Sequence, residues 1–149
     1  AAPMKVTLRL IVFEVDADLP TLSADAGRVE LVVMNLLANA IKYSDPDKPV
    51  RRVSVEFDEP GAGARVRIRD NGIGIPKSKL DTIFEQFVRA HAHLDEELGA
   101  QGLGLGLAIV RESMQAMGGI VTVESVDREG TTFTLEWPGA TLRRKPATA

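Results

Sequence analysis

The sequence predicts an α/β two-layer sandwich: a mixed, mostly antiparallel sheet with helices on one face. Short β-branched runs recur along the chain, each bounded by Gly, Pro or Asp. Two stretches of helical period, about Ala26–Tyr43 and Leu107–Met117, fall between them. The length of 149 residues suits one domain, and a hydrophobic fraction of 44% with 26% charged residues is ordinary for a globular core.

Met4–Val15 ("MKVTLRLIVFEV") reads as a strand, and the turn-rich "DADLPTLSAD" offers Ser23 or Asp25 as the cap of the first helix. "SDPDKP" ends that helix. Arg52–Asp58 and Ala64–Arg69 read as a hairpin joined by "EPGAG", followed at once by "DNGIGIP". Lys77–Phe87 is expected to form a short helix. Val88–Gln101 has no clear period, and so long a connection is usually functional. The Leu107–Met117 helix should stop at Gly118-Gly119, with strands Ile120–Ser125 and Thr131–Trp137 folded around "VDREG". Trp137 is expected to pack at a strand end. These readings define a domain over 4–138 and a disordered tail over 139–149.

Composition removes several function classes. A net charge of −3 argues against nucleic acid or an anionic membrane as partner. The absence of cysteine excludes disulfides and thiolate metal sites and favours a reducing compartment, and two histidines, His91 and His93, do not make a structural zinc site. No apolar run reaches the ~20 residues that span a bilayer, and no signal peptide opens the chain. The expected location of this domain is cytoplasmic. The ends "AAPMKV" and "LRRKPATA" read as cut edges of a longer protein.

Three stretches carry chemistry. In "MNLLANAIKYS", Asn35, Asn39 and Lys42 fall at i, i+4 and i+7 on one helix face, with Tyr43 at its edge. Val32, Val33, Leu36, Leu37, Ala40 and Ile41 supply the side expected to face the core. Two amides and an ammonium on one face suit a groove holding an anion; an amide oxygen is a hard ligand for magnesium, and a lysine meets phosphate as a point charge. In "RDNGIGIP", Asp70 ends a strand at a tight turn where Gly72 and Gly74 permit close backbone approach. An ionised carboxylate there accepts hydrogen bonds, so it suits the exocyclic amine of adenine and repels the carbonyl of guanine. The same residues also make a good hairpin turn. In "GAQGLGLGLAIV", Gly102, Gly104 and Gly106 alternate with Leu103 and Leu105 before a helix, as a phosphate cradle or a flexible hinge would. The P-loop pattern is absent, and G-x-G-x-x-G fails for want of its third glycine.

In this order, "NLLANAIKY", "DNGIGIP", "IFEQFVR" and "GLGLGLAIV" resemble the N, G1, F and G2 boxes of bacterial sensor histidine kinases. The closing "MGGIVTVESVDREGTTFTLEWP" is similar to the family's last segment, and the resemblance spans roughly Leu8–Pro138. It implies the catalytic and ATP-binding domain with the Bergerat fold shared by DNA gyrase, MutL and Hsp-type chaperones. By that resemblance Asn39 is the magnesium ligand, and Asn35, Lys42 and Tyr43 face the phosphates of ATP. Asp70 would bind the adenine amine, with Gly72, Gly74 and Ile75 at the base pocket. Gly102, Leu103, Gly104, Leu105 and Gly106 would form the phosphate loop, and Val88–Gln101 the lid, with His91 and His93 facing solvent. Arg89 would approach the γ-phosphate as a catalytic residue with Asn35, Asn39 and Lys42, while Phe84 and Phe87 match the F-box aromatics or simply pack in the core.

The resemblance further implies a partner domain carrying the acceptor histidine on dimerisation helices, and a downstream response regulator. This domain alone is expected to be monomeric, the full kinase homodimeric, and its parent compatible with a membrane anchor. Gyrase-like and chaperone relatives place a glutamate one turn before the magnesium asparagine; here that position is Asn35, which cannot act as a general base. Two rivals share the fold, an anti-sigma-type serine kinase and a degenerate module that binds nucleotide or a partner without catalysis. "GLGLGLAIV" and "ESVDREGTTF" favour the histidine-kinase branch, and Asn39, Asp70 and the loop glycines speak against degeneracy.

Overall fold

The computed structural model describes residues 11–15, 21–22, 25–59, 63–85, 106–138 and 142–143. Its main sheet has five strands in the order β1-β3-β4-β6-β5, formed by β1 (Ile11–Val15), β3 (Arg51–Asp58), β4 (Gly63–Asp70), β5 (Ile120–Val126) and β6 (Gly130–Pro138). β1 runs parallel to β3, and the other neighbours are antiparallel, so the sheet is mixed and mostly antiparallel as expected. A separate ribbon pairs β2 (Thr21–Leu22) with β7 (Leu142–Arg143). The β7 strand lies within the tail read as disordered, so that expectation fails at Leu142–Arg143.

Three helices complete the described fold: α1 (Ala26–Lys42), α2 (Lys77–Leu80) and α3 (Gly106–Ala116). Asp25 caps α1, its carboxylate accepting from the Arg28 N–H at 3.2 Å. α2 is shorter than the Lys77–Phe87 reading, because Asp81–Glu85 continues as turns. α3 ends with the Gly118 N–H on the Gln115 carbonyl and the Gly119 N–H on the Met114 carbonyl, the paired bonds of a glycine-terminated helix.

Strand alternation sorts the two sheet faces. Val53, Ala64, Ile68, Phe133, Leu135 and Trp137 turn inward and meet Val32, Leu36 and Ala40 of α1 with Val110 and Met114 of α3. Trp137 is buried at a strand end, as expected. Ile41 departs from its reading: it is 45% exposed, and Met34 on the same helix is 60% exposed, because only the narrow Val32–Leu36–Ala40 stripe is fully buried in the core. The outer face carries a ladder of ion pairs, Arg65 and Arg67 on Asp58 and Arg69 on Glu56. The sheet therefore buries one side and leaves the ends of β4, β5 and β6 to position a site.

Candidate functional site

The strand register places three residues in a row at one end of the sheet. Asp70 pairs with Thr131, and Thr131 pairs with Ser125, across β4, β6 and β5. Asp70 Oδ1 accepts from the Gly72 N–H at 2.9 Å and the Thr131 N–H at 3.3 Å. No described group hydrogen-bonds Oδ2, which leaves that oxygen to accept from a ligand amine. Burial raises the Asp70 pKa from 3.8 to about 6, and the two backbone donors and the Lys48 charge oppose that rise. At neutral pH the group is mostly ionised and acts as an acceptor.

The loop after Asp70 is fixed to its surroundings by backbone. The Ile73 N–H donates to the Tyr43 carbonyl at 3.0 Å, tying the loop to the end of α1. The Ile73 carbonyl accepts from the Arg128 N–H at 2.8 Å, tying it to the β5–β6 turn. Gly72 lies against the Tyr43 carbonyl and Gly74, at φ +76°, against the Val126 carbonyl, so a Cβ at either would collide with protein backbone. Gly130, at φ +142°, passes just as closely over the Asp70 carbonyl. These glycines let protein backbone approach protein backbone around the carboxylate.

Ser125 closes the arrangement. Its hydroxyl accepts from the Ile75 N–H at 2.7 Å and lies 3.0 Å from the Gly130 carbonyl and 2.9 Å from Thr131 Oγ1. One proton and two lone pairs satisfy all three if Ser125 donates to Gly130 and Thr131 donates to Ser125. Ile75 is thereby held with its side chain buried beside the loop. Ser125 and Thr131 were absent from the sequence-derived site; the signal available was their place in "ESVDREGTTF". Asn71 braces the loop against β3. Its side-chain oxygen accepts from the Arg52 N–H and its Nδ2 donates to the Val50 carbonyl, which closes the start of β3.

The other end of the site is α1. Asn35, Asn39 and Lys42 share one helix face, with both amide residues half-buried or more open and Lys42 exposed. Asn35 Nδ2 donates to the Leu31 carbonyl at 2.7 Å, which orients its amide. Its Oδ1 borders Gly106, the first residue of α3, where an added Cβ would come within 3.1 Å. The α1 stripe thus meets the start of α3, whose first backbone N–H groups have no partner inside the helix. Phe84 packs edge-on against Phe133 with ring centroids 6.2 Å apart, a core contact. Arg89, Phe87, His91, His93, Gly102, Leu103, Gly104 and Leu105 lie outside the described residues.

Among the described residues no cluster of three His, Cys, Asp or Glu side chains can hold a metal. The donor set on α1 fits magnesium in another way, because that ion commonly takes one or two protein oxygens and completes its shell with water and phosphate. No helix of the described residues is long and apolar enough to cross a membrane.

Residues 24–141 match the family described as histidine kinase-, DNA gyrase B-, and HSP90-like ATPase. The sensor histidine kinase WalK of Bacillus subtilis is 36% identical over 114 residues, 76% of this chain and 18% of WalK. The sensor histidine kinase ZraS of Escherichia coli is 34% identical over 134 residues, 90% of this chain and 26% of ZraS. Among solved structures, the mycobacterial sensor histidine kinase MprB superimposes with a TM-score of 0.73 at 31% identity, over 91% of this chain and 84% of that one. Full-length ShkA in complex with AMPPNP gives 0.70 at 30% identity, over 91% of this chain and 26% of that one.

The chain belongs to the histidine kinase-, gyrase- and HSP90-like ATPase family, whose members are ATP-binding domains, and within it is homologous to the catalytic domains of sensor histidine kinases. It spans only 18% of WalK and 26% of ZraS.

Proposed function

We propose that residues 4–138 form the catalytic domain of a two-component sensor kinase. It binds ATP with magnesium and donates the γ-phosphate to a histidine on a separate dimerisation helix. In this reading Asp70 accepts from the adenine amine through Oδ2, with Gly74 and Ile75 bordering the base. Asn35, Lys42 and Tyr43 face the phosphates beside the start of α3. Asn39 would hold magnesium, which supplies neutralisation of phosphate charge. Arg89 and the Gly102–Gly106 stretch complete the phosphate end by their place in the sequence.

One observation carries the choice of phosphotransfer over hydrolysis. Asn35, one turn before Asn39, is an amide already committed to the Leu31 carbonyl, and it stands where a hydrolase would need a carboxylate base. Catalysis then consists of holding ATP in line with an incoming side chain and balancing charge. The acceptor would come from dimerisation helices of the same protein, which make the kinase a homodimer. This domain alone would be monomeric, and a cytoplasmic response regulator would take the phosphoryl group next.

Incubation with magnesium and ATP tests this. The chain alone should release ADP very slowly and remain unphosphorylated, and it should form acid-labile phosphohistidine once joined to its own dimerisation helices. Rapid ADP release by the chain alone would favour a gyrase-like hydrolase. Acid-stable phosphoserine on a protein substrate would favour the serine-kinase reading.

A further inference from the structure

Lys48 sits in the break after α1, between Pro46 and Pro49, in a stretch whose composition suggests a solvated loop. Its ammonium is instead held by backbone. Nζ donates to the Asn71 carbonyl at 2.7 Å and to the Glu129 carbonyl at 3.2 Å. Asn71 follows Asp70 directly, and Glu129 precedes Gly130 and Thr131. One side chain therefore ties together the segment that carries the carboxylate and the turn that carries its backbone donor.

Other charged groups surround Asp70 without taking this place. Arg51, at the start of β3, directs Nε to the Asp45 carbonyl at 3.1 Å. Asp45 takes the Asp47 N–H, and Arg52, Asp127, Arg128 and Glu129 are exposed at the edge of the site, as is Lys42 at the end of α1. Among the described residues, Lys48 is the charged side chain whose field acts on Asp70, favouring its ionised form.

We propose that Lys48 is a positioning residue for base recognition, pinning the Asp70–Asn71 segment to the β5–β6 turn and biasing the pocket toward bases that present an amine. This rests on the nucleotide-binding reading above. With the cation in place Asp70 is mostly an ionised acceptor at neutral pH. Without it, the carboxylate takes a proton at a higher pH and loses its affinity for an amine over a wider range.

Calorimetric titration with a non-hydrolysable ATP analogue and magnesium, between pH 5.5 and 8, tests it on the wild-type chain and on Lys48→Arg, Lys48→Gln and Lys48→Met. The ligand's own titration is common to all four proteins, so only the displacement between profiles is read. Lys48→Gln keeps a donor without the charge and should move the profile upward by about half a pH unit, about threefold in affinity on its acid side. Lys48→Met should show that displacement and weaker binding at every pH, while Lys48→Arg should retain the wild-type midpoint. Unmoved profiles in Lys48→Gln and Lys48→Met would overturn the proposal. So would a uniform loss in all three variants with the midpoint fixed, which is what a merely structural side chain gives. Thermal melting checks each fold, and if Lys48→Met does not fold, the Gln and Arg pair still decides. A wild-type chain that binds no nucleotide at any pH overturns the nucleotide-binding reading itself, and this proposal with it.

Discussion

The two ends of the site are built differently. Around Asp70, three strand ends, a glycine-bearing loop and one lysine are interlocked by short backbone and side-chain bonds. Along α1, the phosphate-facing candidates are side chains at successive turns of a single helix, with the Asn35 amide bonded back to its own helix. The end proposed to read the base is fixed by the tertiary fold, whereas the stripe on α1 needs little more than helical pitch. An adenine contact demands one oxygen in one place and repays a rigid frame; phosphates and a hydrated cation tolerate adjustable side chains. Substitutions of the glycines that frame the sheet end should therefore disturb the fold, and those on the α1 stripe should disturb binding with the fold intact.

The largest expected departure is Gly130→Ala. Its positive φ and the adjoining Asp70 carbonyl leave no room for a methyl group, so thermal or urea unfolding should show a loss of about 3 kcal/mol or more. A near-neutral result would mean the sheet end is slack and the contrast between the two ends is wrong. On the other side of the comparison, Asn39→Ala should leave the stability within about 0.5 kcal/mol of wild type. It should also remove most of the magnesium-dependent gain in affinity, about tenfold. Loss of stability without loss of the magnesium effect would reverse the assignment.

The pH response separates the ends again. Asp70 must be ionised to accept from an amine, so affinity should fall about tenfold per unit as pH drops below about 6. The unliganded fold responds in the opposite sense. The Asp70 pKa is raised on folding, so its favourable contribution is full below 3.8 and is lost as pH rises through about 6, a difference of up to about 3 kcal/mol. Binding and stability measured across that window should move in opposite directions. The smallest effect belongs to the outer sheet face. Arg69→Ala breaks a 3.6 Å pair with Glu56 between half-exposed side chains and should cost no more than about 0.5 kcal/mol.

How much of this was legible in the sequence depends on the range of the interaction. The α1 boundaries, the β3–β4 hairpin, the glycine stop of α3 and the Asn35–Asn39–Lys42 face follow from periodicity, caps and breakers, which act over a few residues. Asp70 was visible as a carboxylate at a strand end before a tight turn. The roles of Lys48, Ser125 and Thr131 were not, because their partners lie far away in the chain; Lys48 reaches Glu129 across the sheet end, and Ser125 reaches Ile75. Gly72 and Gly74 were read as openings for a ligand, and the structure places protein backbone against both. Ile41 was assigned to the core from hydrophobicity alone, but the buried stripe of the helix is narrower than its apolar content.

The most direct test is the Asp70→Asn variant, titrated calorimetrically with a non-hydrolysable ATP analogue and melted in the absence of ligand at pH 7.5. An asparagine oxygen can still accept from Gly72 and Thr131, but the buried charge is gone. The expected outcome is a variant that melts at a higher temperature than wild type and binds the analogue at least about a hundredfold more weakly. A variant that binds as wild type does would show that Asp70 is not the base-reading group, and the account of the site would fall with it.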